Sequence, residues 1–212
     1  QFKWNSNVTF PPLWPIILQE YYQETKDIKV IKKAYPLLIK QLRWFENNRK
    51  TKEGGFYYID ILDQICESGV ENSPRFVSIG NTEQIACIDA TSHVYSMYEH
   101  ASRWSKILEE EDLWEEKKQN VRAFLSDKLF CKETNFFYDQ WFMNNTANAP
   151  LVFEGLWPFI VGAVSSDQAK NIVDQYLRVS DHFFTEHPVP LVSFSDGCFT
   201  GDNWQGGVRN SM

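Results

Sequence analysis

The chain has 212 residues, a length that fits one large domain or two small ones. Its 21 Lys and Arg against 28 Asp and Glu give a net charge of −7 without a prominent basic run, which argues against nucleic acid or an anionic membrane as a partner. Hydrophobic residues make up 43%, which excludes a disordered chain. Aromatic residues reach 16%, an excess typical either of a cavity for a ring-shaped ligand or of a bulky helical core.

Helices dominate the predicted elements of the first half. Pro11 and Pro12 mark the start of a first helix, because apolar residues follow them at helical spacing. Asp27 is the predicted N-cap of a second helix, whose apolar period continues to Asn48. Residues 61–84 contain Gly and Pro without a clean period and are predicted to form a long ordered loop, which in a compact domain is usually functional.

The second half repeats this organisation. A third helix is predicted from Asp89 towards Leu108, and the acidic run 109–112 is predicted to cap the next helix, since carboxylates favour helix N-termini. A short extended piece at 136–139 and a helix capped by Ser166 or Asp167 follow. The alternation of helix pairs and loops predicts an all-α fold, either an open solenoid or a closed (α/α) toroid. The long polar loops favour the toroid.

Several kinds of site and compartment are disfavoured. His93 and His100 lack a metal-binding pattern, and no nucleotide-binding or serine-hydrolase motif is present, so we expect neither a metal nor a cofactor. Four scattered cysteines without CxxC spacing predict packed free thiols. No apolar run approaches a membrane span and no signal pattern is visible. The chain begins with Gln1 rather than Met, so the compartment stays open, with the cytoplasm favoured.

The segment 67–75 is the richest in chemically useful side chains. It combines two carboxylates, Glu67 and Glu71, with Arg75 on a loop stiffened by Pro74. Glycoside hydrolysis needs a protonated acid and a second carboxylate, so either glutamate is a candidate acid, with Arg75 orienting its neighbour. The alternative is a solvated loop with a structural Glu–Arg pair. Other carboxylates lie beside aromatic residues, a mixture that suits carbohydrate: Asp139, Asp196 and Asp202.

Ordered motifs along nearly the whole chain resemble one family. The stretch ESGVENSPRF at 67–76 is similar to the ESGxDNSPRF signature of glycoside hydrolase family 63 and its trehalase-related clan. PPLWPIILQEYY and DIKVIKKAYPLLIKQLRWFENNR precede it as the family's helix pair does. CIDATSHVYS, NFFYDQW, FEGLWPFIVGAVSSDQA, HPVPLVSFSD and GDNWQGGV follow in the family's order, the last resembling its YWRGPVW.

The resemblance implies an (α/α)6 barrel that hydrolyses α-linked glucosides or mannosides with inversion, without a cofactor, on a carbohydrate substrate. The acidic residue of the signature is the general acid in such enzymes, and it falls here on Glu71. The resemblance also implies residues that shape or support the sugar pocket. These are Trp14, Asn72, Arg75, Asp89, Trp204 and Gly206.

Two departures from the family pattern leave alternatives open. Glu71 replaces the family's Asp and so reaches about one bond further, a shift that can cost on the order of a hundredfold in rate. Gln205 replaces the Arg of YWRGPVW, which removes a bidentate charged donor. A carbohydrate-binding or scaffold protein that is no longer catalytic is therefore the first alternative. A helical-repeat interaction protein, with the aromatic residues as core, is the second.

The chain is short for a complete (α/α)6 barrel. Twelve helices of about a dozen residues each, with loops of the length seen here, need far more chain than 212 residues. We therefore expect residues 1–212 to form a single domain that holds about half of a barrel, as a fragment of a longer protein. The family's general base is a glutamate further along, so we expect it beyond Met212.

Overall fold

The computed structural model describes residues 7–61, 64–70, 72–186 and 189–201. Six α-helices occur there: α1 Trp14–Thr25, α2 Ile28–Asn48, α3 Ile88–Ile107, α4 Glu115–Phe124, α5 Trp157–Ile160 and α6 Ser166–Ile172. Four two-residue strands form two antiparallel ladders, β1 Asp60–Ile61 with β2 Ile65–Cys66 and β3 Phe130–Cys131 with β4 Phe136–Phe137. The described part is mostly helical, as predicted, and closure into a barrel stays a prediction.

The helix α2 forms because its cap and its apolar period agree. The Asp27 carboxylate accepts a hydrogen bond from the backbone N–H of Lys29, which confirms the predicted N-cap. Ile31, Leu38 and Phe45 recur on one face and are completely buried. The opposite face is exposed and carries Pro36 in mid-helix. This helix is therefore an outer helix with one face in the core and one in solvent.

The helix α3 runs through the centre of the core. Sixteen of its 20 residues are buried, and it packs against α1, α2, α4 and α5. The indole N–H of Trp104 donates to the Oε1 atom of Gln19 at 2.8 Å, which joins α3 to α1. His93 and His100 are both buried in this helix. Any side chain on the first turn of α3, including Asp89, is consequently held in a rigid frame.

The caps of the later helices confirm one prediction and correct another. Within the acidic run, Asp112 accepts hydrogen bonds from the backbone N–H groups of Trp114 and Glu115, so the acidic run binds the N-terminus of α4 as predicted, although the N-cap residue itself is Trp114, whose side chain makes no capping bond. The cap of α6 is Ser165, which forms a capping box with Gln168, one residue before the predicted Ser166 or Asp167. A π-helical turn follows each of α4 and α6, at Leu125–Leu129 and Val173–Leu177.

Two further expectations are corrected. The first helix begins at Trp14, not at Pro11 and Pro12, and Pro15 occupies its first turn. Residues 61–84 are not only loop, because β1 and β2 pair there and Pro74–Phe76 forms a 3-10 turn. Pairings of two residues are too short to produce alternation of apolar and polar residues, so the sequence pattern did not indicate them.

Two predictions about chain chemistry are tested by the described residues. All four cysteines are free, as expected from their spacing. Within the described ranges, no helix is both long enough and apolar enough to cross a bilayer.

Candidate active site

The first end of the segment 67–76, which we call the signature loop, is fixed by a buried ion pair. The Glu67 side chain is completely buried, and its two carboxylate oxygens accept from the Nε and Nη2 atoms of Arg49 at 2.8 and 2.6 Å. The backbone N–H groups of Ile59 and Thr9 donate to the same carboxylate at 2.7 and 3.0 Å. Four donors on one buried carboxylate hold the start of the loop in a single position.

The residue that follows is held by a second carboxylate. The Oδ1 atom of Asp60 accepts from the backbone N–H and the hydroxyl of Ser68 at 3.1 and 3.0 Å. Burial, followed by the negative charge of Asp89, raises the pKa of Asp60 to about 6. The Oδ2 atom of Asp60 is buried and has no hydrogen-bond partner among the described residues. A buried carboxyl group with a raised pKa therefore contacts Ser68 at the start of the signature loop.

The other end of the signature loop is fixed by Arg75, whose side chain is completely buried. Its guanidinium donates to both carboxylate oxygens of Asp89, at 2.9 and 3.1 Å, and to the Oδ1 atom of Asp139 at 2.7 Å. The same Asp139 oxygen accepts from the backbone N–H of Ile88 at the start of α3. The indole of Trp141 donates to the backbone carbonyl of Arg75 at 3.2 Å. The end of the loop is thus bound to the central helix.

A third carboxyl group, that of Glu154, gives this cluster more acidic groups than its one cation can neutralise. The Oε1 atom of Glu154 lies 3.9 Å from Nη1 of Arg75, and its Oε2 atom is buried without a described partner. One guanidinium therefore faces three buried carboxylates. Burial alone would raise the pKa of Asp89, but the charge and hydrogen bonds of Arg75 hold it below its usual value. Burial raises the pKa of Asp139 and of Glu154 to about 7 despite Arg75, and the charge of Asp89 adds to both effects.

The same region contains a spacing that a metal ion could use. The thiol of Cys87 and one oxygen each of Asp89 and Asp139 lie within 4.8 Å of one another. Arg75 already donates to both carboxylates, so its guanidinium occupies the place of a cation. Burial also raises the pKa of the Cys87 thiol well above its ordinary value, which disfavours the thiolate that a metal would need. We interpret the group as a buried ion-pair cluster.

Nearly the whole chain matches a known protein family. The model of the mannosylglycerate hydrolase MGH1-like glycoside hydrolase domain matches residues 1–208. The chain belongs to this family. The resemblance to glycoside hydrolase family 63 is thereby confirmed, and with it a glycoside hydrolase domain.

Individual proteins resemble this chain in fold or in sequence. The GH63 mannosylglycerate hydrolase from Thermus thermophilus in complex with glucose superposes with a TM-score of 0.76 at 16% identity, over 96% of this chain and 59% of that one. Its complex with Tris and D-glycerate gives 0.75 at 15% identity, over 95% and 62%. An uncharacterized protein of Borreliella burgdorferi is 26% identical, over 97% of this chain and 42% of that protein. The chain thus spans less than two thirds of these relatives.

The structure places only some of the predicted site residues of this glycoside hydrolase domain. Arg75 and Asp89 meet in the buried cluster, and Asn72 is exposed on the signature loop. Trp14 is half-buried between helices, where its indole donates to Gln41 at 2.8 Å and its ring lies 6.1 Å from that of Trp104. Glu71, Asp202, Trp204 and Gly206 lie outside the described residues.

Other expectations about the signature loop and the carboxylates near aromatic residues are corrected or refined. Glu67 belongs to a structural Glu–Arg pair, but its partner is Arg49 and not Arg75. Asp196 accepts a hydrogen bond from the backbone N–H of Cys198, two residues further on, which is the role of a turn residue, and a second, long-range bond from the backbone N–H of Leu151. Asp139 is a member of the Arg75 cluster.

Sequence reasoning missed three residues that support the signature loop, Arg49, Asp60 and Glu154. Arg49 and Glu154 lie inside segments that carry the family resemblance, FENNR and FEGLWP. A charged residue within an otherwise apolar motif was the available signal. The partner of each could not be assigned, because 18 residues separate Arg49 from Glu67 and 79 separate Arg75 from Glu154.

Proposed function

We propose that this domain carries the acid-bearing half of an inverting glycosidase that acts on α-linked glucosides or mannosides. The observation that carries the proposal is the double fixation of the signature loop. On either side of position 71, buried ion pairs fix the loop, through Arg49 and Glu67 before it and through Arg75 and Asp89 after it. A loop fixed at both ends suits a general acid, since proton transfer requires the acid within hydrogen-bond reach of the leaving oxygen.

In this proposal Glu71 protonates the glycosidic oxygen as the bond to the anomeric carbon breaks. A second carboxylate deprotonates the water that attacks the opposite face of the sugar, which inverts the configuration. We assign the second role to none of the described residues. Family membership and the buried ion pairs on either side of position 71 support the assignment of the acid to Glu71.

Arg75 and Asp89 enter this proposal as positioning residues. Both side chains are buried and bonded to each other, so they hold the loop and α3 together without reaching a substrate. Asn72, Trp204, Gly206 and, less directly, Trp14 are the proposed contributors to the sugar pocket. The matched Thermus enzyme was crystallised with glucose and with D-glycerate. We therefore propose oligosaccharides or sugar–glycerate conjugates as the substrate class.

The test is the turnover of a panel of α-glucosides and α-mannosides, including sugar–glycerate conjugates, by the complete gene product. Glu71→Gln is expected to lower kcat/KM by about 10²- to 10⁴-fold on substrates with alkyl leaving groups. The loss should be much smaller for dinitrophenyl glycosides, whose leaving group needs no proton. Glu83→Gln, at an exposed glutamate, is the matched control and should retain full activity. Equal turnover by the Glu71→Gln variant and the wild type would refute the assignment.

A catalytically impaired carbohydrate-binding protein is the second candidate. The replacement of the family's Asp by Glu71 and of its Arg by Gln205 motivates this candidate. Calorimetric binding of the same sugars by the complete gene product, without product formation over days, would favour it. Release of product with inverted anomeric configuration, followed by NMR, would exclude it.

A further inference from the structure

The exposed face of α2 carries a row of cations that the overall acidic composition conceals. Its members recur at helical spacing opposite the buried stripe: Lys29, Lys32, Lys33, Lys40 and Arg43. The row extends over 15 residues, about 21 Å of helix. Residues 26–43 hold six basic residues and one acidic residue, a net charge of +5, which leaves −12 for the rest of a chain whose net charge is −7. We call these five residues the basic row.

The basic row is not neutralised by the described part of the molecule. None of its five cations forms an ion pair within 4.0 Å of a described carboxylate. Glu46, the one acidic residue within α2, pairs instead with Lys117, and the carboxylate of the N-cap Asp27 accepts from the backbone N–H of Lys29. A row of unpaired charges on one helix face creates a field that attracts an oppositely charged surface.

An acidic segment, residues 109–116, adjoins the C-terminal end of the basic row through Glu110. Four exposed glutamates of this segment form no ion pair with a described residue: Glu109, Glu110, Glu111 and Glu116. Asp112 and Glu115 of the same stretch already pair with Lys106. Glu110 lines a surface depression of about 400 Å³ together with Lys40 and Arg43. The free positive and free negative charges therefore adjoin on one side of the molecule.

Each of the two charged patches also exposes one large apolar side chain. Leu37 of α2 is 62% exposed, and Leu113 of the acidic segment is 59% exposed. Pro36 and Ile39 add apolar surface to the depression between the patches. A partner that covers this side of the molecule would thus bury apolar area in addition to matching charge.

The adjacency of the patches discriminates between partners. A nucleic acid or an anionic membrane that approached the basic row would also meet four free carboxylates, and like charges repel. The surface fits a partner that presents a basic patch and an acidic patch side by side, and the chain itself has that pattern. We propose that the basic row and the acidic segment form a self-complementary surface through which two copies of this chain pair about a two-fold axis. In such an isologous contact each basic row faces the acidic segment of the other copy, and both contacts form at once.

The first test is the mass of the complete gene product in solution, measured by sedimentation velocity and light scattering at two ionic strengths. We expect a dimer at about 50 mM salt and an at least tenfold higher dissociation constant at about 500 mM, because screening shortens the range of these charges. A monomer at low salt and at about 100 µM protein would overturn the proposal. Binding of the monomer to anionic vesicles or duplex DNA, without dimerisation, would overturn it in favour of a polyanion.

The second test exchanges the charges. The variant K32E/K33E/K40E and the variant E109K/E110K/E111K should each be monomeric, because all patches of each variant then carry one sign. An equimolar mixture of the two should form a heterodimer with near wild-type affinity, because both contacts are again between opposite charges. K52E/K128E/K132E makes the same change in charge at exposed lysines elsewhere and should dimerise normally. A mixture that stays monomeric, or single variants that still dimerise, would overturn the proposal; circular dichroism verifies that each variant is folded.

Discussion

The Arg75 cluster allows a quantitative test of the frame that holds the signature loop. The change is Arg75→Met, which keeps the apolar length of the side chain and removes the only described cation in contact with Asp89, Asp139 and Glu154. Three hydrogen bonds to carboxylates at 2.7 to 3.1 Å are lost with the charge. Removal of one partner of a buried ion pair typically costs about 3–5 kcal/mol, because the remaining charge stays buried without compensation.

The cost of Arg75→Met should depend on pH with a definite sign. The pKa values of Asp139 and Glu154 are about 7 with Arg75 present, and the variant raises them further. The folded variant then binds more protons than its unfolded chain, so its unfolding free energy falls as the pH rises. We expect a loss of about 4 kcal/mol near pH 8 and about 2 kcal/mol near pH 5, where protons replace the missing cation.

Urea unfolding, followed by tryptophan fluorescence at both pH values, measures these losses. Arg103→Met is the matched control, because Arg103 is 43% exposed and forms only a surface ion pair with Glu99. Its loss should stay below about 0.5 kcal/mol at either pH. A loss for Arg75→Met below about 1 kcal/mol near pH 8, or an equal loss at both pH values, would refute the reasoning.

Three further predictions concern neighbouring positions. Because burial raises the pKa of Glu154 to about 7, the folded protein holds a proton that the unfolded chain releases, and the unfolding free energy falls as the pH rises. Glu154→Gln should reduce this fall between about pH 5 and pH 7.5, and an unchanged slope in urea titrations would contradict the prediction. Glu67→Gln replaces an acceptor oxygen with an amide that faces donors and should cost about 2–3 kcal/mol in the same assay, whereas exposed Glu83→Gln should be neutral. Gly155→Ala would bring a methyl group to 2.7 Å from the carbonyl oxygen of Phe137, so it should destabilise the fold by about 2 kcal/mol and lower the melting temperature by several degrees. Gly197→Ala, which has open space around the added methyl group, should leave the melting temperature unchanged.

The sequence predicted those elements whose signals are local. The N-cap at Asp27 and the long period of α2 depend on residues two to four positions apart, and both are confirmed. The contact of Asp112 with the start of α4 is local in the same way. The β1–β2 ladder was missed because two-residue strands carry no pattern of their own.

The pairings that build the candidate site were beyond local signals. The sequence suggested that Arg75 orients one of the two glutamates of its own segment, but the structure pairs it with Asp89, 14 residues away, and with Asp139, 64 residues away. Such a choice depends on where α3 and its neighbours pack, and charge alone does not distinguish one carboxylate from another. The family resemblance selected the correct segments, yet the assignment of partners required three-dimensional information.

The short stretch before α1 has a consequence for where this domain can be cut. The carbonyl oxygen of Asn7 accepts from the Nη2 atom of Arg49 at 2.6 Å, and the backbone N–H of Thr9 donates to Glu67. A boundary drawn at the first helix would look natural, but it would strip one donor from the buried Glu67 carboxylate and one acceptor from its partner. A cut, an insertion or proteolytic trimming just before α1 therefore also weakens the support of the signature loop.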